Sequence, residues 1–137
     1  MGIKLTGETD LNALLRTMKA KLVDGVFVFV AIDNRELPTG LEPRMIFQEA
    51  EGTTLVLLKT DAEAYDLDYE FPCRMITLEV HSALEAVGFL ARITTELAKC
   101  QMGVNPVSGF FHDHLFVPDG REQDALSVLD QIAAEIE

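Results

Sequence analysis

The stretch RMITLEVHSALEAVGFLARITTELAKCQM, residues 74–102, decides the fold of this chain because its hydrophobic period changes once along its length. Ile76, Leu78 and Val80 alternate with their neighbours and fall on one face of a predicted strand. Beyond Val87, apolar residues recur at spacings of three and four, as on one face of a helix. Gly103 follows the last periodic residue and is the predicted C-terminal cap. A strand therefore leads into a helix through a short loop, and Gly88 lies at the junction.

The rest of the second half predicts two more strands and a closing helix. The strands are expected at residues 104–111 and 114–117, and Pro106 marks the first of them as an edge or a bulge because proline cannot donate to a ladder. Asp119 and Glu122 have the spacing of a capping box at the start of the closing helix. The order β-α-β-β-α is one strand short of the ferredoxin-like β-α-β-β-α-β unit.

The first half shows a similar order with different omissions. Periodicity and turn residues predict a strand at 3–5, a helix at 11–23, a buried strand at 26–32, a hairpin formed by 45–50 and 53–59, and one or two helical turns within the acidic run 61–70. This half has an extra strand and almost no second helix. Because the omissions of the two halves are complementary, one economical arrangement lets a strand of one half complete the sheet of the other.

The predicted fold class is α+β, with two ferredoxin-like (βαββαβ) units in tandem and antiparallel sheets covered by helices on one face. Phe71-Pro72 closes the first half, since proline disfavours a helical conformation in the residue before it. The predicted domains are residues 1–70, as a divergent unit, and residues 71–137.

Charge and composition exclude several classes of partner. The chain carries 23 acidic and 11 basic side chains, a net charge of −12, which repels nucleic acid phosphates and anionic membranes. We therefore expect no nucleic acid partner and no membrane partner. No apolar stretch approaches the ~20 residues of a membrane span either. No basic and apolar leader follows Met1. Cys73 and Cys100 are isolated, which favours reduced thiols in the cytoplasm.

Few residues suggest catalysis or metal binding. His112 and His114 would share a face of a strand and could ligate a metal, but no second cluster of ligands lies nearby in sequence. His81 and Ser82 resemble a base and a nucleophile, although neighbours in sequence rarely align for attack. Hydrogen bonding or packing is the favoured role of these histidines, and we expect no metal, no cofactor and no catalytic residues.

Four segments carry a resemblance to a known family. They are Phe71-Pro72, residues 80–84 (VHSAL), residues 86–90 (AVGFL) and residues 110–118 (FFHDHLFVP). The second half resembles an ACT domain, in which a glycine often stands where the first strand meets the first helix. The whole chain resembles a small bacterial family of stand-alone tandem ACT-like proteins without an attached enzyme domain, most strongly over residues 71–118.

The resemblance implies a regulatory, non-catalytic module that binds an amino acid or a similar small molecule at an interface between two domains. A homodimer is one way to form such an interface. The implied contacts come from the first strand–helix loop and the second strand: His81, Ser82, Val87, Gly88, Phe89, Asn105, Pro106, Val107 and Ser108. A helix N-terminus is independently suited to a carboxylate, since its first N–H groups are free and carry partial positive charge.

Two other functions stay open on the sequence. One is an interaction or dimerisation domain that docks a partner through a sheet edge or a helix face and binds no ligand. The other is a small metal-dependent enzyme that uses the histidines. The absence of a catalytic triad, a phosphate loop or zinc-ligand spacing disfavours the enzyme, and only binding measurements separate the first two functions.

Overall fold

The computed structural model describes residues 9–33, 37–80 and 82–136. The helices are α1 (Leu11–Thr17), α2 (Lys59–Ala64), α3 (Phe89–Ala98) and α4 (Glu122–Glu135). The strands are β1 (Lys19–Leu22), β2 (Phe27–Ile32), β3 (Met45–Gln48), β4 (Thr53–Leu58), β5 (Glu70–Glu79), β6 (Asn105–Ser108) and β7 (Asp113–Pro118). The strand predicted at residues 3–5 lies outside the described residues. None of the described helices is both long and apolar enough to cross a bilayer.

The chain divides into two compact units that do not follow the order of the sequence. One, here the C-terminal unit, combines residues 9–23 with residues 75–136; the other, the central unit, is Asp24–Arg74. Strand β5 gives its first residues to the central unit and its last residues to the C-terminal unit. Residues 9–23 therefore group with the second half of the chain. The domain boundary at residue 70 stays a prediction.

The central unit is a four-stranded antiparallel sheet in the order β3-β4-β2-β5. Strands β2 and β4 are its middle pair, and the alternating apolar residues of VFVFVAI place Val28 and Val30 in a core with Leu55 and Leu57. The short helix α2 packs on these two strands. The described residues between β2 and β3 contain no helix, in keeping with the prolines and glycine there.

The C-terminal unit has the strand order β1-β5-β7-β6. Its first strand comes from the start of the chain, because Lys19–Leu22 pairs antiparallel with residues 76–79 of β5. The strand missing from the second half is thus supplied by the first half. The helix predicted over residues 11–23 is wrong beyond Thr17. Met18 is already extended, and pairing with β5 overrides the helical spacing of Met18 and Leu22.

Helices α1, α3 and α4 contact one another and share one core with the strands of the C-terminal unit. Its buried members are Leu14, Leu15, Met18, Ile76, Leu78, Phe89, Ile93, Leu97, Met102, Leu115, Val117, Ala125, Leu129 and Ile132. This arrangement and the sheet orders of the two units confirm the predicted α+β class of two ferredoxin-like units. Each helix has an apolar face because that face packs on the sheet and excludes water from the core.

Two predicted helix ends differ from the structure. Gly103 does not cap α3, because the helix ends at Ala98 and Gln101 adopts the left-handed conformation instead, at φ 55°. Asp119 does not form a capping box with Glu122. The N-cap of α4 is Arg121, and Glu122 Oε1 accepts a hydrogen bond from the Gly120 N–H at 2.7 Å.

Candidate functional site

The junction between β5 and α3 is a compact turn that ends on a glycine. The Ala86 N–H donates to the Ala83 carbonyl, and Gly88 then takes φ 89° as the N-cap of α3. A Cβ at Gly88 would lie 3.6 Å from Leu11 Cδ2, an ordinary contact. Space is therefore not what demands glycine here. The positive φ requires glycine, since other residues rarely adopt that backbone conformation.

A cavity of about 160 Å³ lies beside this junction. Its lining comes from the loop after β5, the first turn of α3 and the end of β6 with the start of β7: Ser82, Ala83, Leu84, Ala86, Gly88, Phe89, Leu90, Ala91, Ser108, Gly109 and Asp113. Liquid water occupies about 30 Å³ per molecule, and drug-sized ligands use pockets of about 300–1,000 Å³. The cavity therefore suits a molecule much smaller than a nucleotide.

Backbone donors border this cavity on the helix side. The first intrahelical bond of α3 runs from the Arg92 N–H to the Gly88 carbonyl. The N–H groups of Phe89, Leu90 and Ala91 precede it and have no acceptor within the helix. The Gly88 cap has no side chain to accept from them. Their alignment with the helix dipole makes this edge of the cavity favourable for an anionic group.

The strand side of the cavity carries a carboxylate that the sequence analysis did not assign to the site. Asp113 is buried, lines the cavity and accepts a hydrogen bond through Oδ2 from Ser82 Oγ at 3.3 Å. Strand β7 begins one residue earlier than predicted, so Asp113 shares the strand face of Leu115 and Val117. The available signal was the alternation of Asp113 with Leu115 and Val117, but the strand was predicted to begin only at residue 114.

The nine predicted contact residues separate into three groups. Ser82, Gly88, Phe89 and Ser108 come together around the cavity. Val87 is exposed, and the remaining strand residues, Asn105, Pro106 and Val107, lie on β6 outside the described lining. His81 lies outside the described residues. A role in ligand binding stays a prediction for the whole set.

The two described histidines make different hydrogen bonds close to the cavity. The Nδ1 of His112 is 3.4 Å from the Val80 carbonyl oxygen, and the Nδ1 of His114 is hydrogen-bonded to Thr77 Oγ1 at 3.0 Å. Within residues 9–33, 37–80 and 82–136, no group of three or more His, Cys, Asp or Glu residues could hold a metal ion. The bond of His112 joins the loop after β5 to the residue before β7, and the bond of His114 joins β5 to β7.

Two models of the ACT domain match the chain, one over residues 6–74 and the other over residues 70–131. Together they cover both halves, as the resemblance of the sequence predicted. None of the curated proteins matches this chain.

Several solved structures are similar to this chain. A Vibrio cholerae protein of unknown function, described as a possible transport protein, is 37% identical to this chain. The match covers 90% of this chain and 95% of the Vibrio cholerae chain, with a TM-score of 0.80. An Agrobacterium tumefaciens protein is 18% identical over 85% of this chain and 89% of that chain, with a TM-score of 0.72. The regulatory subunit of aspartate kinase from Thermus flavus is 11% identical over 82% of this chain and 95% of that chain, with a TM-score of 0.63. These last two show the fold alone.

Proposed function

This chain belongs to the ACT domain family, and on that basis we propose that it is a regulatory module that binds an amino acid or a related small molecule and catalyses no reaction. ACT domains are regulatory amino-acid-binding modules rather than catalytic ones. The observation that carries the proposal for this chain is the cavity at the β5–α3 junction. It combines free helix N–H groups, two serine hydroxyls and a size of about 160 Å³.

The proposed pose follows from the polarity of the cavity. The ligand carboxylate meets the N–H groups of residues 89–91, where the helix dipole stabilises negative charge. The hydroxyl groups of Ser82 and Ser108 are within the lining and can donate to or accept from the ligand. Asn105, another of the predicted contacts, lies at the start of β6 outside the cavity lining and takes no part in this pose.

Exposed apolar side chains support closure of the site by a second copy of the chain. Leu84 lines the cavity and is 70% exposed, and the neighbouring Val87 is also exposed. Large exposed apolar groups beside a cavity favour a protein partner, and ACT domains often dimerise. A homodimer with the ligand at its interface is therefore part of the proposal.

The proposed location is the cytoplasm. Cys73 and Cys100 form no disulfide with each other, and Cys100 is exposed. An exposed free thiol fits a reducing compartment better than an oxidising one.

An interaction domain without a ligand is the second candidate, and one observation favours it. Strand β3 is an edge of the central sheet, and its Ile46 and Phe47 are exposed. An edge strand with exposed apolar side chains is a template for pairing with another chain. This candidate predicts binding of a protein and no response to small molecules.

The screen that tests the proposal measures thermal unfolding of the full chain with each of the twenty amino acids. A ligand present at 100 times its Kd should add about 2.7 kcal/mol to the free energy of unfolding, a rise of several degrees in Tm for a domain of this size. We expect one amino acid, or a small group of similar ones, to produce that rise. An unchanged Tm with all twenty at 10 mM would contradict the proposal and favour the interaction domain.

A further inference from the structure

We infer that Asp113 is the residue that recognises a protonated amine of the ligand, and that this site therefore selects amino acids over the corresponding 2-hydroxy acids. The inference rests on the proposed function, because it assigns the ligand class of the same cavity. It adds a specificity-determining residue on strand β7, outside the nine contacts expected from the sequence.

The first argument is a mostly buried carboxylate that lines the cavity and has spare hydrogen-bonding capacity. Asp113 is only 7% exposed. Among the described residues its hydrogen bond comes from Ser82 Oγ at 3.3 Å, which is longer than the 2.5–3.0 Å typical of O–H···O bonds. A carboxylate can accept about four hydrogen bonds. An ammonium group in the cavity would therefore find free acceptor positions on Asp113 and an opposite charge.

The second argument is the charge of the lining. Asp113 is the ionisable side chain among the described residues that line the cavity, and no lysine or arginine accompanies it there. The flanking histidines direct Nδ1 elsewhere, His112 toward the Val80 carbonyl and His114 toward Thr77 Oγ1. The strand side of the cavity therefore presents negative charge, while the helix side presents the partial positive charge of the N-terminus of α3. This polarity matches a zwitterion.

The third argument is the rigidity of the carboxylate. Asp113 pairs with Ser108 across the β6–β7 ladder, and the Gly109 N–H donates to the His112 carbonyl at 2.9 Å to close the turn between them. A recognition group on a paired strand keeps its position when the ligand binds, so little of the interaction energy is lost in ordering it.

A purely structural role is the alternative, in which the carboxylate serves only to hold Ser82 and the loop after β5. Two variants separate the roles. Asp113→Asn keeps the shape and an oxygen that accepts from Ser82 but removes the charge. Ser82→Ala removes the hydrogen bond and keeps the charge. Recognition predicts the larger loss of amine binding in Asp113→Asn. A structural clamp predicts little loss in Asp113→Asn, which keeps the bond from Ser82, and the larger loss in Ser82→Ala.

The experiment measures binding of alanine, valine, leucine, phenylalanine and the best amino acid of the thermal screen to the full chain, each beside its 2-hydroxy acid. We expect the wild-type protein to bind an amino acid at least tenfold more tightly than its 2-hydroxy acid, since charge-assisted hydrogen bonds are roughly twice as strong as neutral ones. Asp113→Asn should lose at least tenfold toward the amino acid and less than about threefold toward the 2-hydroxy acid.

Different results would contradict the inference alone or the inference together with the proposed function. Equal wild-type affinity for an amino acid and its 2-hydroxy acid would overturn the inference and leave the proposed function standing, and this comparison needs no folded variant. Unchanged amino acid binding in Asp113→Asn would do the same. Failure of the wild-type protein to bind any amino acid would overturn both.

Discussion

Leu15→Ala should destabilise the C-terminal unit by about 2–5 kcal/mol, the range for removing a fully buried leucine side chain. Leu15 is fully buried in the core of that unit, although the sequence places it far from residues 75–136. Its helix α1 packs on α3 and α4. Hydrogen exchange should therefore show faster exchange in β7 and α4, and urea denaturation should give the size of the loss.

Two leucines provide matched controls for this substitution. Leu84→Ala removes the same atoms from a side chain that is mostly exposed and should change the free energy of unfolding by less than about 0.5 kcal/mol. Leu57→Ala removes them from the core of the central unit and should accelerate exchange in β2 and β4 first. An effect of Leu15→Ala confined to β2 and β4 would contradict the grouping of residues 9–23 with the second half of the chain.

Gly88→Val should abolish ligand binding. Gly88 has φ 89°, where a β-branched residue is a genuine outlier, and left-handed backbone costs other residues about 1–2 kcal/mol. The junction should relieve this strain by changing its backbone, which moves the first turn of α3 away from the ligand carboxylate. Binding of the amino acid identified in the thermal screen, followed by calorimetry, should fall by at least about tenfold, the equivalent of 1.4 kcal/mol.

Gly120→Val is the matched control because it imposes the same kind of strain away from the cavity. Gly120 has φ 97°, and a Cβ there would meet no atom within 4 Å. It should lose a similar amount of stability and keep ligand binding. Equal affinity in Gly88→Val and wild type would place the ligand somewhere other than the β5–α3 junction.

The sequence predicts the β5–α3 junction well because all of its determinants are local. The change of hydrophobic period after Val80 and the glycine before Phe89 lie within one stretch, and the structure has a strand, a left-handed glycine and a helix there. The hairpin of β3 and β4 was predictable for the same reason, from two apolar runs that flank Glu51-Gly52. Counting strands in each half also indicated that one half completes the sheet of the other.

Two features depend on contacts that no local pattern contains. Residues 19–22 form a strand because residues 76–79 pair with them, while their own apolar spacing fits a helix equally well. Asp113 enters the site because β7 starts at that residue and the loop carrying Ser82 folds over it. The sequence does not show whether residue 113 belongs to the turn or to β7. Its pairing with Ser108 extends the strand to Asp113 and places the carboxylate on the face of Leu115 and Val117.

Binding of an amino acid at the β5–α3 junction can be seen in a crystal structure of the full chain with the best amino acid of the thermal screen. We expect the ligand in the cavity, its carboxylate within hydrogen-bond distance of the N–H groups of residues 89–91 and its ammonium group at Asp113. An amino acid bound at another place on the chain, with this cavity empty or closed by its own side chains, would show that the proposed site is wrong.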